Sequence, residues 1–133
     1  MSYAQQMVET NPTDAALDAS QLAECVEACF DCVQACIACA DACLGEENPK
    51  ELARCIRLDL DCADVCEVTG KILSRQTAFE PQVARVGLEA TIQATRLCGE
   101  ECEKHAEHHE HCRVCMEACR RCEETCKQVL QTL

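Results

Sequence analysis

Tryptophan is absent from this chain, and tyrosine and phenylalanine together supply three residues. Ordinary aromatic packing therefore cannot fill the core. Basic residues are scarce as well: 12 Lys and Arg against 24 Asp and Glu leave a formal net charge of −12. That balance disfavours nucleic acid and anionic membrane surfaces as partners. No run of about 18 apolar residues occurs, so no membrane-spanning helix is predicted. The stretch Met1–Ser20 has neither the basic start nor the apolar centre of a secretory signal, which predicts a protein kept in the reducing cytosol. No phosphate-cradling glycine loop and no nucleophile–base pair stands out, and the chain is not expected to be an enzyme.

What the chain has in quantity is cysteine, 16 of its 133 residues. In a small secreted protein that share would mean a disulfide scaffold, whereas in a reducing compartment it points to metal or redox chemistry. The length suits one domain with a real core.

The cysteines fall in two dense arrays and two sparse ones, each inside a segment with helical periodicity. Asn11-Pro12 and Asn48-Pro49 look like N-cap and first-turn pairs, with Glu51 at a capping-box position, and Leu44-Gly45 ends the first segment. Four helices are predicted, over about 13–44, 49–73, 81–106 and 110–130, with residues 1–12 as a flexible arm. The short connections make them sequential neighbours in an antiparallel, all-α, up-down-up-down four-helix bundle. The periodicity nearly continues through Glu107–His111, so a kinked helix joining the last two segments is compatible with the pattern.

In the first segment Cys25, Cys29, Cys32, Cys36, Cys39 and Cys43 follow steps of 4, 3, 4, 3 and 4 residues, the seam of a heptad and hence one face of a helix. The last segment repeats this with Cys112, Cys115, Cys119, Cys122 and Cys126. The second contributes Cys55, Cys62 and Cys66 with Asp59 between them. The third contributes Cys98 and Cys102, followed by His105 and His109, with His111 just beyond. One or two such cysteines would be unremarkable small hydrophobes. Sixteen would make a poorly packed and easily oxidised core unless they had a task. The flanking stripe Val26, Phe30, Val33, Ile37, Ala40 and Leu44, with Ala28, Ala35 and Ala42 on the other side, can supply helix packing without them.

Thiolate is a soft ligand for copper(I), zinc and iron–sulfur clusters alike. The Cys-x-x-Cys units Cys29–Cys32, Cys36–Cys39, Cys112–Cys115 and Cys119–Cys122 lie inside helices, whereas iron–sulfur ligands sit on turns that wrap a cluster and thioredoxin-like pairs open a helix after a strand. Two metal–sulfur bonds of about 2.3 Å span at most ~4.6 Å, near the spacing of side chains three or four apart on a helix. Copper(I), which accepts two or three bridging thiolates, fits such a ladder, and multiple copper(I) ions per chain are the expected cargo. An iron–sulfur or dithiol electron carrier and a metallothionein-like zinc buffer remain the alternatives.

The two thiol ladders, the sparser Cys55/Cys62/Cys66 and Cys98/Cys102 sets and the run from Cys102 through His105, His108, His109 and His111 to Cys112 resemble the bacterial copper storage proteins, specifically their cytosolic branch. The resemblance covers about Cys25 to Leu130. It implies a homotetramer of four-helix bundles holding many copper(I) ions per protomer. Thr91 and Thr95 stand at seam positions where further thiols would have been expected, which predicts fewer ions at that end. Of the two poles of such a bundle, one would gather Cys43, His105, His109, His111 and Cys112 as a point of metal admission. The other would be closed by Leu22, Leu73, Leu88, Val129 and Leu130. Asp59, a buried carboxylate among thiols, is a candidate ligand.

Overall fold

The computed structural model describes residues 1–133. It contains a short N-terminal helix α1 (Tyr3–Thr10) and four long ones: α2 (Ala19–Leu44), α3 (Ala53–Ser74), α4 (Pro81–His105) and α5 (Glu110–Thr132). There are no strands, and no helix is long and apolar enough to cross a membrane. Among the long helices α2 packs on α3 and α5, and α4 packs on α3 and α5, which closes the square of an antiparallel four-helix bundle.

The seams account for the packing. Leu22 leads the thiols of α2. On α3 the buried series is Cys55, Asp59, Cys62, Cys66, Thr69 and Leu73. On α4 it is Ala84, Leu88, Thr91, Thr95, Cys98 and Cys102, and on α5 it runs from Cys112 to Val129. Each series advances by alternating steps of three and four, so each helix turns one line of side chains to the common axis. Leu22, Leu73, Leu88 and Val129, one per helix and each at most 1% exposed, close one pole as expected, whereas Leu130, expected with them, is only partly buried against the core. Above them Thr91 donates a hydrogen bond to Thr69 (2.8 Å), and Thr95 donates to the Thr91 carbonyl (2.7 Å), so the hydroxyls in the thiol-poor part of α4 are satisfied internally. Gly70 permits a close approach of α2 and α3: a Cβ there would lie 3.0 Å from the Phe30 ring.

Three boundary expectations give way. Residues 1–12 do not form a free arm: Tyr3–Thr10 is a helix capped by Ser2, whose Oγ accepts from the Gln5 N–H (3.1 Å), and its Ala4 and Val8 pack against the core. Asn11 does not cap a helix starting at Thr13. It caps a turn, accepting from the Thr13 N–H (2.8 Å), and α2 starts at Ala19 behind Asp18, which accepts from the Gln21 N–H (2.9 Å). The intervening segment is pinned by Gln76, whose side chain accepts from the Ala16 N–H (3.0 Å). Asn48 makes no side-chain cap, and Pro49–Leu52 forms a 3-10 turn before α3. Between α4 and α5 the chain breaks into a turn with His109 in extended conformation, so the two are separate helices.

Candidate metal centre

All sixteen cysteines are buried and none is in a disulfide. Their sulfurs form a nearly continuous column. From the apolar pole it runs Cys25 to Cys126 (3.6 Å), Cys126 to Cys29 (3.9 Å), Cys29 to Cys122 (3.8 Å), Cys122 to Cys66 (3.9 Å), Cys66 to Cys62 (3.8 Å) and Cys62 to Cys32 (3.8 Å). Cys32 and Cys36 each lie 3.8 Å from Cys119, and Cys36 lies 3.7 Å from Cys115. Every rung joins helices or successive turns of one helix.

Midway the column passes Asp59. Its Oδ1 accepts from the thiols of Cys98 (3.1 Å), Cys115 (3.3 Å) and Cys102 (3.7 Å), and Cys55, itself 3.7 Å from Cys102, faces Oδ2. No Lys or Arg reaches this carboxyl. Burial first, then the sulfurs of Cys115 and Cys98, push it up to about 11, so it holds its proton at neutral pH. The thiols feel the same burial, but hydrogen bonds from neighbouring sulfurs (Cys122, Cys119 and Cys102) hold Cys29, Cys32, Cys55, Cys98 and Cys115 down, while others are raised. Burial, followed by Cys55 and Asp59, raises Cys43 to about 12. Hydrogen bonds shared with Cys115 and with Cys122, followed by burial, push Cys36 and Cys66 upward.

Beyond Asp59 the column ends at the histidine pole. Cys39, Cys43, Cys112 and Nδ1 of His111 lie within 4.8 Å of one another, with Nδ1 3.4 Å from the Cys39 sulfur and 3.6 Å from that of Cys112. The three histidines are thus placed differently. His111 meets the thiols. His109 meets Glu46, with Nδ1 2.8 Å from Oε2, and His105 meets Glu101, with Nε2 3.0 Å from Oε2. His108 is exposed. Glu47, Glu51, His105, His108 and His109 border an open cavity of 430 Å³ outside this pole. Sequence periodicity could not find Glu46 or Glu101 as partners, because Glu46 is a loop residue 65 positions from His111 and Glu101 lies off the α4 thiol seam.

The donor set favours a soft monovalent ion. Three sulfurs around one ion at about 2.3 Å stand ~4.0 Å apart, close to the separations along the column. Cys36 and Cys119 each belong to two four-sulfur sets, Cys32/Cys36/Cys62/Cys119 and Cys36/Cys98/Cys115/Cys119, so the sets are shared rather than closed. Charge then separates the candidates. Four zinc ions would offset half the charge of sixteen thiolates in an interior lined by no basic side chain, whereas one copper(I) per thiolate offsets all of it.

Comparison with known proteins agrees. The family model described as copper storage protein matches residues 18–131. The copper storage protein Ccsp of Streptomyces lividans, in a structure loaded with 10 copper equivalents, is 47% identical with a TM-score of 0.94 over 98% of this chain and 99% of that one. A five-copper structure of the cytosolic copper storage protein from Streptomyces lividans is 51% identical, with a TM-score of 0.84 over 86% of this chain and 95% of that one. The cysteine-rich protein YhjQ of Bacillus subtilis is 37% identical over 94 residues, 71% of this chain and 82% of its own length. A bundle axis made of shared thiols and matched by copper-loaded relatives along nearly its whole length leaves one assignment: the chain belongs to the copper storage protein family.

Proposed function

We propose that the chain is a cytosolic, high-capacity store for copper(I), acting as one bundle domain without catalysis, with its sixteen cysteines as ligands. The observation that carries this reading is the sulfur column, in which neighbouring thiols stand 3.6–3.9 Å apart along most of the axis. Each thiolate bridges two ions, so copper occupies the axis without any backbone rearrangement, and the plug and flanking packing keep the bundle folded when it is empty. Asp59 serves as an oxygen ligand at the middle of the column and His111 as a nitrogen ligand at its end. The cytosolic setting is taken from the description of the Streptomyces relative. Anaerobic titration of the reduced protein with copper(I) is the direct test.

Copper is admitted at the histidine pole. Imidazole holds copper(I) less tightly than thiolate does and suits transient capture, and the opposite pole is sealed by aliphatic side chains. Replacing His105, His109 and His111 together by Ala is expected to slow loading on the order of 10-fold with little loss of total capacity. Leu73→Ala with Leu130→Ala is expected to load at the unmodified rate. Slowing confined to the leucine variant overturns this route.

The assembly we propose is a homotetramer. Phe30, Ile37 and Leu44 on the outer side of α2 are 40–62% exposed, and Val68, Val83 and Val86 border an apolar groove between α3 and α4. Light scattering should return about four times the 14.7 kDa of one chain; a mass equal to one chain refutes the tetramer and leaves storage untouched.

A further inference from the structure

Glu46 follows the end of α2, three residues beyond Cys43, the last thiol of the longer ladder. Its N–H donates to the Cys43 carbonyl (3.2 Å), which ties it to the helix end that bears Cys39 and Cys43. Its Oε2 lies 2.8 Å from Nδ1 of His109 and 2.8 Å from Nε2 of His111, and no Lys or Arg pairs with it. The two imidazoles stack, centroids 5.6 Å apart and planes at 22°. An ionised carboxylate has no proton to donate, so each neutral imidazole must donate to it. For His111 that puts the proton on Nε2 and leaves the lone pair on Nδ1, the nitrogen that faces Cys39 and Cys112.

We propose that Glu46 is a positioning residue for copper capture: it fixes the tautomer and orientation of His111, so that Nδ1 is presented to the mouth as the fourth donor beside Cys39, Cys43 and Cys112. This rests on the storage reading and adds to it a residue that never touches the metal. A carboxylate behind a ligating imidazole raises its basicity and holds its ring, and losing such a partner typically costs 10–100-fold in affinity or activity. His109, held by the same oxygen, braces the His111 ring from the solvent side.

The test has one readout without metal and one with it. In the metal-free protein at alkaline pH, long-range proton–nitrogen correlation spectra should show His111 as the Nε2–H tautomer. Glu46→Ala should give a mixture of tautomers, and Glu46→Gln, which keeps an acceptor oxygen, should restore the unmodified spectrum. With limiting copper(I), the initial uptake rate of Glu46→Ala should fall about 10-fold or more. Glu107→Ala, which removes the same charge from an exposed position in the α4–α5 turn, should load normally. Glu46→Ala added to His111→Ala should slow it no further. An unchanged His111 tautomer in Glu46→Ala, equal slowing by Glu107→Ala, or additive slowing in the double variant each overturns the proposal. Failure of the storage reading would look different: the unmodified protein would saturate at four ions or fewer with its His111 tautomer intact.

Discussion

Anaerobic titration of the reduced protein with copper(I) is expected to end near one ion per cysteine, on the order of 16 per chain. The limit comes from charge. The interior has no basic side chain to offset a surplus thiolate, and a surplus ion would lack a counter-charge, so the metal count follows the count of buried sulfurs. With one Tyr and no Trp the protein absorbs little near 280 nm, so sulfur-to-copper charge transfer can be followed almost without background. Zinc on the same sample should saturate near four ions, because each closed tetrahedral set consumes four thiolates. A copper end point of four or fewer would exclude storage and favour discrete clusters. The threonine-containing part of α4 should contribute least, since Thr91 and Thr95 are bonded within the fold and offer no sulfur.

Asp59→Asn should stabilise the metal-free protein at pH 7 by roughly 2–4 kcal/mol. The sign follows from the shift. The carboxyl has an ordinary value of 3.8 and is raised to about 11 in the fold, so the folded state binds this proton more tightly than the unfolded chain does. Below pH 3.8 both states are protonated and the carboxyl costs nothing. As pH rises the unfolded carboxyl ionises, the folded one does not, and stability is lost progressively until about pH 11. Asparagine has nearly the same shape and no ionisable proton, and escapes this loss. Urea unfolding should therefore give midpoints that nearly coincide at pH 4 and separate steadily toward pH 8. Parallel pH dependences for the two proteins would show that Asp59 is not held protonated in the core. The same variant tests the ligand role, because a carboxamide cannot supply the anionic oxygen that copper would meet in mid-column. Unchanged capacity together with an unchanged uptake rate would exclude it.

The axis of the molecule is legible in the sequence because it is periodic. Steps of three and four residues placed the thiols of α2 and α5 inward, put Asp59 among them, and identified Leu22, Leu73, Leu88 and Val129 as a closed pole. What escaped is held by single long-range bonds. The turn before α2 depends on Gln76 accepting from the Ala16 N–H across 60 residues, and no local signal distinguishes that arrangement from a helix begun at Asn11-Pro12. The helix at Tyr3–Thr10 is only 8 residues long, too short to hold by itself, and is fixed by docking Ala4 and Val8 on the bundle. The histidine cluster was visible as a group, but its division was not. That His111 turns toward sulfur while His105 and His109 turn toward carboxylates follows from Glu101 and Glu46, neither of which is marked by spacing.

The burial of every sulfur, none more than 2% exposed, has an electrical consequence. Burial disfavours the thiolate form in this interior, so a copper(I) ion that binds a protonated thiol must displace roughly one proton. Filling is then an ion exchange, metal in and hydrogen ion out, and the formal charge of −12 is the same at the start and at the finish. Full and empty chains should migrate together in a native gel, while a weakly buffered solution acidifies in proportion to the metal taken up. The outer surface carries no gauge of the contents, so any molecule that responds to how full the chain is must sample it at the mouth.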